Sequence, residues 1–84
     1  MSREKMGISP EEIERAREYD WNDLLVFTRG YALCPFHEEK TGSFHINKHT
    51  NRAKCFGCSW EGDTIDYWMK KNGTGFTEAV RALL

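Results

Sequence analysis

The stretch that decides the fold runs from Cys34 to Cys58 and reads CPFHEEKTGSFHINKHTNRAKCFGC. It contains all three cysteines of the chain, and a histidine at the same two-residue spacing completes two matched pairs, Cys34 with His37 and Cys55 with Cys58. Positions 38–54 separate the pairs, which agrees with the roughly 15–20 residues typical of two-knuckle zinc sites. Three cysteines and one histidine are a usual tetrahedral set for structural zinc. The spacing therefore predicts one structural Zn²⁺ held by these four residues.

Other uses of these residues fit less well. The second pair alone is a C-x-x-C motif of the redox type, but that interpretation leaves Cys34 and His37 without a role. A catalytic zinc site keeps one position open for water, and four protein ligands leave none. His45 and His49 are further candidate ligands, although solvated positions in a strand and a turn are the favoured interpretation for them. A structural zinc in such a module contributes about 10–16 kcal/mol at neutral pH, comparable with a small domain's whole stability.

Length and composition limit the remaining options. The chain has 84 residues and a formal net charge of −1, which predicts one domain and gives no whole-molecule attraction to a polyanion. An odd number of cysteines argues against a disulfide framework. The N-terminal region has no apolar run typical of a signal peptide, and no stretch approaches the roughly 20 apolar residues of a membrane helix. We expect a cytoplasmic protein without membrane association.

The N-terminal region predicts a short helix. Ser9 is a suitable N-cap, and Glu12 completes a capping box, so the helix is expected to run to about Glu18. It has few apolar side chains and is expected to pack weakly. We therefore predict an N-terminal helical arm over residues 1–19 and a zinc-binding domain over residues 20–84.

Three further helices are predicted from caps and apolar spacing. One is expected from Asp20 to Gly30, because its apolar residues recur at helical spacing. Another is expected to begin after Asp63 and to end at Gly73, a residue that readily adopts the left-handed conformation. A last helix is expected to begin near Thr77.

The segment between the knuckles predicts a β-hairpin. Residues 43–47 and 52–55 alternate polar and apolar, and the four residues between them have turn composition. The side chains expected to face inward are Phe44, Ile46 and Ala53. The side chains expected on the other face are Ser43, His45, Asn47, Arg52 and Lys54. The whole pattern predicts a small α+β fold, a zinc ribbon on an antiparallel sheet with packed helices.

The hairpin segment is also where positive charge concentrates. Residues 38–58 carry four basic side chains, Lys40, Lys48, Arg52 and Lys54, against the acidic Glu38 and Glu39. Any positively charged surface that could attract a polyanion is therefore confined to this segment. The alternative, that these charges only solvate an exposed hairpin, stays open at this point.

Four motifs resemble one known family. CPFHEEKTGSF from Cys34, CFGC from Cys55, GDTIDYWM from Gly62 and FTEAVRALL from Phe76 are similar to the N-terminal zinc-binding domain of bacterial and phage DNA primases. The resemblance implies a zinc ribbon that grips single-stranded template DNA and helps to select where a primer starts. In that family the chemistry lies in a separate polymerase domain, so no enzymatic activity is expected from these residues alone.

The leading functional hypothesis follows from that resemblance and from the hairpin. We expect single-stranded DNA to bind across the polar face, with cations contacting phosphates and an aromatic ring stacking on a base. The candidate DNA-binding residues are Lys40, Arg52, Lys54 and Trp60, with Tyr31 as a second candidate for stacking. A primase or polymerase core, or a replicative helicase, is the expected protein partner.

A competing hypothesis needs no nucleic acid. In it the chain is a stand-alone zinc protein-interaction module, for example from a phage or mobile element, that docks on a helicase, primase or polymerase. The near-neutral charge and the acidic first helix favour this alternative. A third interpretation is that the chain is a piece of a longer primase.

Overall fold

The computed structural model describes residues 7–38 and 42–84 of the chain. Its elements are α1 (Pro10–Arg17), a single 3₁₀ turn (Trp21–Asp23), β1 (Tyr31–Ala32), β2 (Phe44–Asn47), β3 (Arg52–Cys55), β4 (Glu61–Gly62), α2 (Thr64–Asn72) and α3 (Phe76–Ala82). The strands form one antiparallel sheet in the order β1-β2-β3-β4. The predicted α+β fold with an antiparallel sheet and packed helices is confirmed.

One face of the sheet is closed by aromatic packing. Phe44 and Ala53 point from β2 and β3 into the core and have no exposed surface. The ring of Trp21 contacts Phe44 and Tyr67 edge to face, at centroid distances of 5.6 and 5.5 Å. Because Tyr67 belongs to α2, this cluster joins the sheet to that helix. We call this side of the sheet the inner face.

A second core lies between the helices. Ala16 of α1 packs with Ile65 of α2 and Val80 of α3, and all three are buried. The hydroxyl of Thr64 donates a hydrogen bond to the carbonyl of Ala16, and Arg17 forms an ion pair with Asp63 at 3.3 Å. The first helix is thus packed against α2 and α3 instead of only weakly held. The boundary between residues 1–19 and 20–84 stays a prediction.

The helix ends follow the expected local chemistry. The capping box of Ser9 and Glu12 is present, and Asp63 with Asp66 forms a second one. Gly73 ends α2 at φ 67°, in the left-handed region, and its N–H donates to the carbonyl of Met69. In the described part of the chain, no helix has the length and apolar character needed to cross a membrane.

The helix predicted from Asp20 to Gly30 is wrong, because only the 3₁₀ turn forms there. The indole Nε1 of Trp21 donates a 2.8 Å hydrogen bond to the carbonyl of Asn51 in the hairpin turn, which fixes the chain beneath the sheet. Thr28 then pairs with Tyr31 in a tight antiparallel turn. The tertiary hydrogen bond of Trp21 and this local turn take the backbone away from the helical path that the apolar spacing favours.

Candidate metal centre and nucleic-acid interface

The described structure brings together the four predicted ligands. One ligand atom from each of Cys34, His37, Cys55 and Cys58 lies within 4.8 Å of the others. The Sγ atoms of Cys34 and Cys58 are 3.8 Å apart, and Cys55 Sγ lies 4.0 Å from His37 Nδ1. Tetrahedral zinc with Zn–S bonds of about 2.3 Å places sulfurs roughly 3.8 Å apart. The arrangement and the donor set both fit one zinc ion.

Hydrogen-bond donors surround the sulfur atoms of two predicted ligands. Cys55 Sγ accepts the backbone N–H groups of Gly57 and Cys58 at 3.3 and 3.4 Å, and the hydroxyl of Ser43 lies 3.4 Å from the same sulfur. Cys34 Sγ accepts the N–H of Phe36 at 3.4 Å. Donors around a thiolate stabilise its negative charge and fix its orientation toward a metal.

The two buried thiols differ in acidity. Burial raises the pKa of Cys34 from 9.0 to about 12, and its single backbone donor offsets only part of that effect. Burial acts in the same direction on Cys55, but hydrogen bonds from Ser43 and from the N–H groups of Cys58 and Gly57 outweigh it and lower the pKa to about 7. Cys55 is therefore the thiol that ionises more readily, whereas Cys34 depends on the metal to displace its proton.

Gly57 is required by close packing in the second knuckle. A Cβ atom at this position would lie 2.8 Å from Nε2 of His37 and 3.0 Å from Oγ of Ser43. Any larger residue would displace a predicted ligand or the hydroxyl beside Cys55.

The sheet face opposite the inner face is polar, as the alternation predicted. In the strand register, Tyr31 lies opposite His45, His45 lies opposite Lys54, and Asn47 lies opposite Arg52. Side chains alternate between the two faces of a strand, and the neighbours of these residues are the ones that fill the core. We call this side the outer face.

The predicted DNA-binding residues divide into three groups. Arg52 and Lys54 are exposed on the outer face. Trp60 packs against two phenylalanine rings of the core side, at centroid distances of 4.9 and 5.7 Å, so it does not share a face with the two cations, and its stacking on DNA stays a prediction. Lys40 lies outside the described residues.

The outer face also has three aromatic rings, of which the alternation had placed His45 there and the stacking hypothesis had named Tyr31. The rings of Tyr31 and His45 are stacked at 5.5 Å, and the ring of Phe56 lies 5.6 Å from that of His45. We call these three residues the aromatic column. Phe56, which the sequence analysis did not assign to either face, is 59% exposed. The strand alternation does contain the signal: Cys55 points inward, so the next residue points outward.

Comparisons with known proteins agree with this site. Residues 28–84 match the family model described as CHC2 zinc finger. The chain is 47% identical over 52 residues to the DNA primase of Lactococcus lactis, which covers 62% of this chain and 8% of the relative. It is 46% identical over 56 residues to the DNA primase of Clostridium acetobutylicum, which covers 66% of this chain and 9% of the relative.

A solved structure shows the same fold. The crystal structure of the Aquifex aeolicus primase, with its zinc-binding and RNA polymerase domains, superposes with a TM-score of 0.67 at 30% identity. The match covers 86% of this chain and 20% of that one. The similarity to primases is therefore confined to a small portion of each relative. The chain belongs to the CHC2 zinc finger family, with the zinc-binding fold of DNA primases and one structural zinc ion.

Proposed function

We propose that this chain binds single-stranded template DNA on the outer face of its sheet during primer initiation, and that its own residues supply no catalytic group. The observation that carries the proposal is the placement of Arg52 and Lys54. They are exposed at alternate positions of β3, so their Cα atoms are roughly 7 Å apart on one face. Two cations in such a row suit successive phosphates of one strand.

The zinc ion has a structural role in this proposal. Cys34, His37, Cys55 and Cys58 hold it, and the last residue of β3 is one of these ligands. The metal therefore fixes the end of the strand that carries both cations. Without it, a domain of this size loses most of the energy that orders the sheet.

The strength of the DNA interaction is expected to be modest and dependent on salt. The net charge of −1 provides no general attraction, so affinity rests on a few local contacts. Each phosphate contact to a single strand contributes about −0.7 to the slope of log K against log salt, so two contacts give about −1.4. This small slope distinguishes a localised site from a broad basic surface.

The test is a fluorescence-anisotropy titration of the zinc-loaded protein with single-stranded oligonucleotides at several salt concentrations, with duplex DNA as competitor. We expect salt-sensitive binding that prefers single strands and is lost in the double variant Arg52→Ala, Lys54→Ala. The control variant Lys71→Ala, Arg81→Ala removes the same charge from exposed positions of α2 and α3, on the other side of the sheet, and should bind normally. Binding that ignores the first double variant would contradict the proposal.

The second candidate function is docking on a replication protein such as a helicase, primase core or polymerase. It is favoured by two exposed apolar side chains near β1, Val26 at 86% and Leu33 at 53% exposure. Those side chains do not suit phosphates, whereas they suit an apolar protein surface. Absence of DNA binding in the titration, together with binding to a purified primase core or helicase that Val26→Ser, Leu33→Ser abolishes, would favour this function.

A further inference from the structure

We propose that Ser43 is a positioning residue of the zinc site that acts through Cys55. Its hydroxyl donates a hydrogen bond to the Sγ atom of the metal-bound thiolate, and this bond helps to set how tightly the chain holds its zinc. The inference concerns a residue outside the four ligands, and it goes beyond the proposed function because it holds whether or not the chain binds DNA.

The place of Ser43 in the chain brings it next to the second knuckle. Phe44, the first residue of β2, lies opposite Cys55, the last residue of β3. Ser43 therefore stands one residue beyond the strand pair, where β3 passes into the knuckle. Its Oγ atom lies 3.4 Å from Cys55 Sγ, within reach of a hydrogen bond to sulfur.

The chemistry of zinc binding fixes the direction of this hydrogen bond. A cysteine binds zinc as a thiolate, so its sulfur has no proton to donate once the metal is bound. A serine hydroxyl has one proton and rotates to suit its partner. In the zinc-loaded chain the hydroxyl of Ser43 is therefore the donor, and Cys55 Sγ is the acceptor.

Ser43 also contacts the backbone that follows the ligand. Its carbonyl accepts the N–H of Phe56 at 2.9 Å. A Cβ atom at Gly57 would lie 3.0 Å from its hydroxyl oxygen, so the glycine leaves room for the hydroxyl beside the sulfur. Ser43 thus meets three consecutive residues of the second knuckle and joins that knuckle to the start of β2.

The hydroxyl adds to two backbone donors on the same sulfur. The N–H groups of Gly57 and Cys58 belong to the knuckle itself, whereas the hydroxyl comes from the segment that leads into β2. Partners of this kind orient a metal ligand, and removal of one typically weakens metal affinity by about 10- to 100-fold. Because Cys55 is fully buried, bulk water does not replace the lost donor.

The test compares two pairs of side chains of nearly equal shape at position 43 of the full chain. Ser43→Ala is compared with the wild type, and Ser43→Val is compared with Ser43→Thr, so each pair differs chiefly by the hydroxyl. The dissociation constant for zinc is measured by competition with a chromogenic chelator. We expect it to be about 10- to 100-fold higher for the member of each pair that lacks the hydroxyl.

A second readout reports on the sulfur itself, because a loss of packing would also weaken zinc binding. The chain is loaded with Co²⁺ in place of zinc, and the thiolate-to-cobalt charge-transfer bands are recorded at saturating metal, where metal binding drives folding. A hydrogen bond to a thiolate lowers the energy of its lone pairs. We therefore expect the bands of Ser43→Ala and Ser43→Val at longer wavelength than those of the wild type and Ser43→Thr.

The control variant is Ser59→Ala, which removes an exposed hydroxyl directly after the last ligand and should change neither the zinc affinity nor the bands. If Ser43 only packs against the knuckle, its variants will change the affinity and leave the bands at the wild-type wavelength, which overturns the proposal. Wild-type zinc affinity in both Ser43→Ala and Ser43→Val overturns it as well. Either result leaves the four-ligand zinc site and the proposed DNA binding unaffected.

Discussion

The two faces of the sheet use neighbouring residues for opposite purposes. On the inner face, Phe44 and Ala53 are fully buried, whereas on the outer face the residues that follow them are half-buried (His45) and exposed (Lys54). A shift of one residue along a strand thus separates core packing from the proposed DNA-binding face. If the outer face binds DNA as proposed, stability and ligand contact can be altered almost independently in this domain.

At the end of the sheet nearest the predicted zinc site, consecutive residues belong to the two different faces. Cys55 ends β3 and points inward toward the predicted zinc site, whereas Phe56 follows it and points outward toward His45. The second zinc knuckle, residues 55–58, therefore contributes one residue to the core and one residue to the aromatic column. Changes here are expected to have the largest effects.

The largest expected effect comes from removing one ligand. In Cys58→Ser we expect loss of bound zinc and a largely unfolded chain, because zinc binding contributes about 10–16 kcal/mol in such modules. Zinc content and far-ultraviolet circular dichroism are the measurements. The control is Cys58→His, which replaces one zinc-binding side chain with another and should retain more metal and structure.

A folded Cys58→Ser protein with a full equivalent of zinc would contradict the four-ligand assignment. Such a result would also mean that the sheet holds together without the complete zinc site. Substitutions near the metal would then be expected to cost no more stability than substitutions elsewhere in the sheet.

The second prediction compares one substitution on the two faces. Phe44→Ala should lower the free energy of unfolding by about 3–5 kcal/mol, since it leaves a cavity in the core. Phe56→Ala makes the same chemical change on the outer face and should cost about 0.5 kcal/mol. Urea unfolding at a fixed zinc concentration measures both. Similar costs for the two variants would show that Phe56 belongs to the core.

The sequence predicts the parts of this fold that depend on local patterns. Alternation along β2 and β3 is sufficient to assign inward and outward side chains, because the period of two belongs to the strand itself. The four predicted ligands are recognised from their types and spacing. Helix caps such as Ser9 with Glu12 also depend on a few adjacent residues.

The parts that the sequence does not predict depend on distant contacts. Trp21 is held by a carbonyl 30 positions away, and no local pattern distinguishes its 3₁₀ turn from the start of a longer helix. Trp60 is a second example, because two rings of the core determine its direction. The strand β4 has only two residues, which is too short for a periodic signal.

The third prediction concerns the hairpin turn at the end of the sheet away from the metal. The side-chain amide of Asn51 donates to the carbonyls of Arg17 and Tyr19 at 2.6 and 3.0 Å, and its φ of 60° is left-handed. Asn51→Gly keeps that backbone conformation and should cost about 1–2 kcal/mol for the lost hydrogen bonds. Asn51→Ala should cost about 1 kcal/mol more, because alanine disfavours a positive φ.

Urea unfolding of both Asn51 variants measures separately the free energy lost with the hydrogen bonds and the free energy lost to the unfavourable positive φ. If the glycine variant is as stable as the wild type, the two Asn51 hydrogen bonds contribute nothing to holding the end of α1. The hairpin turn would then be a part of the sheet whose polar contacts do not contribute to stability.

The smallest effects are expected for the outer-face cations. Lys54 lies opposite Glu61 across the β3–β4 pair, and opposite charges in that position contribute about 0.2–1 kcal/mol. Arg52 lies opposite the uncharged Asn47, so Arg52→Ala should leave the free energy of unfolding unchanged within about 0.5 kcal/mol. Lys54→Ala should show a small loss that disappears at high salt, because screening removes the contribution of an exposed pair. A large, salt-independent loss in either variant would mean that outer-face residues contribute substantially to folding stability, and the proposed division of stability and DNA binding between the two faces would be wrong.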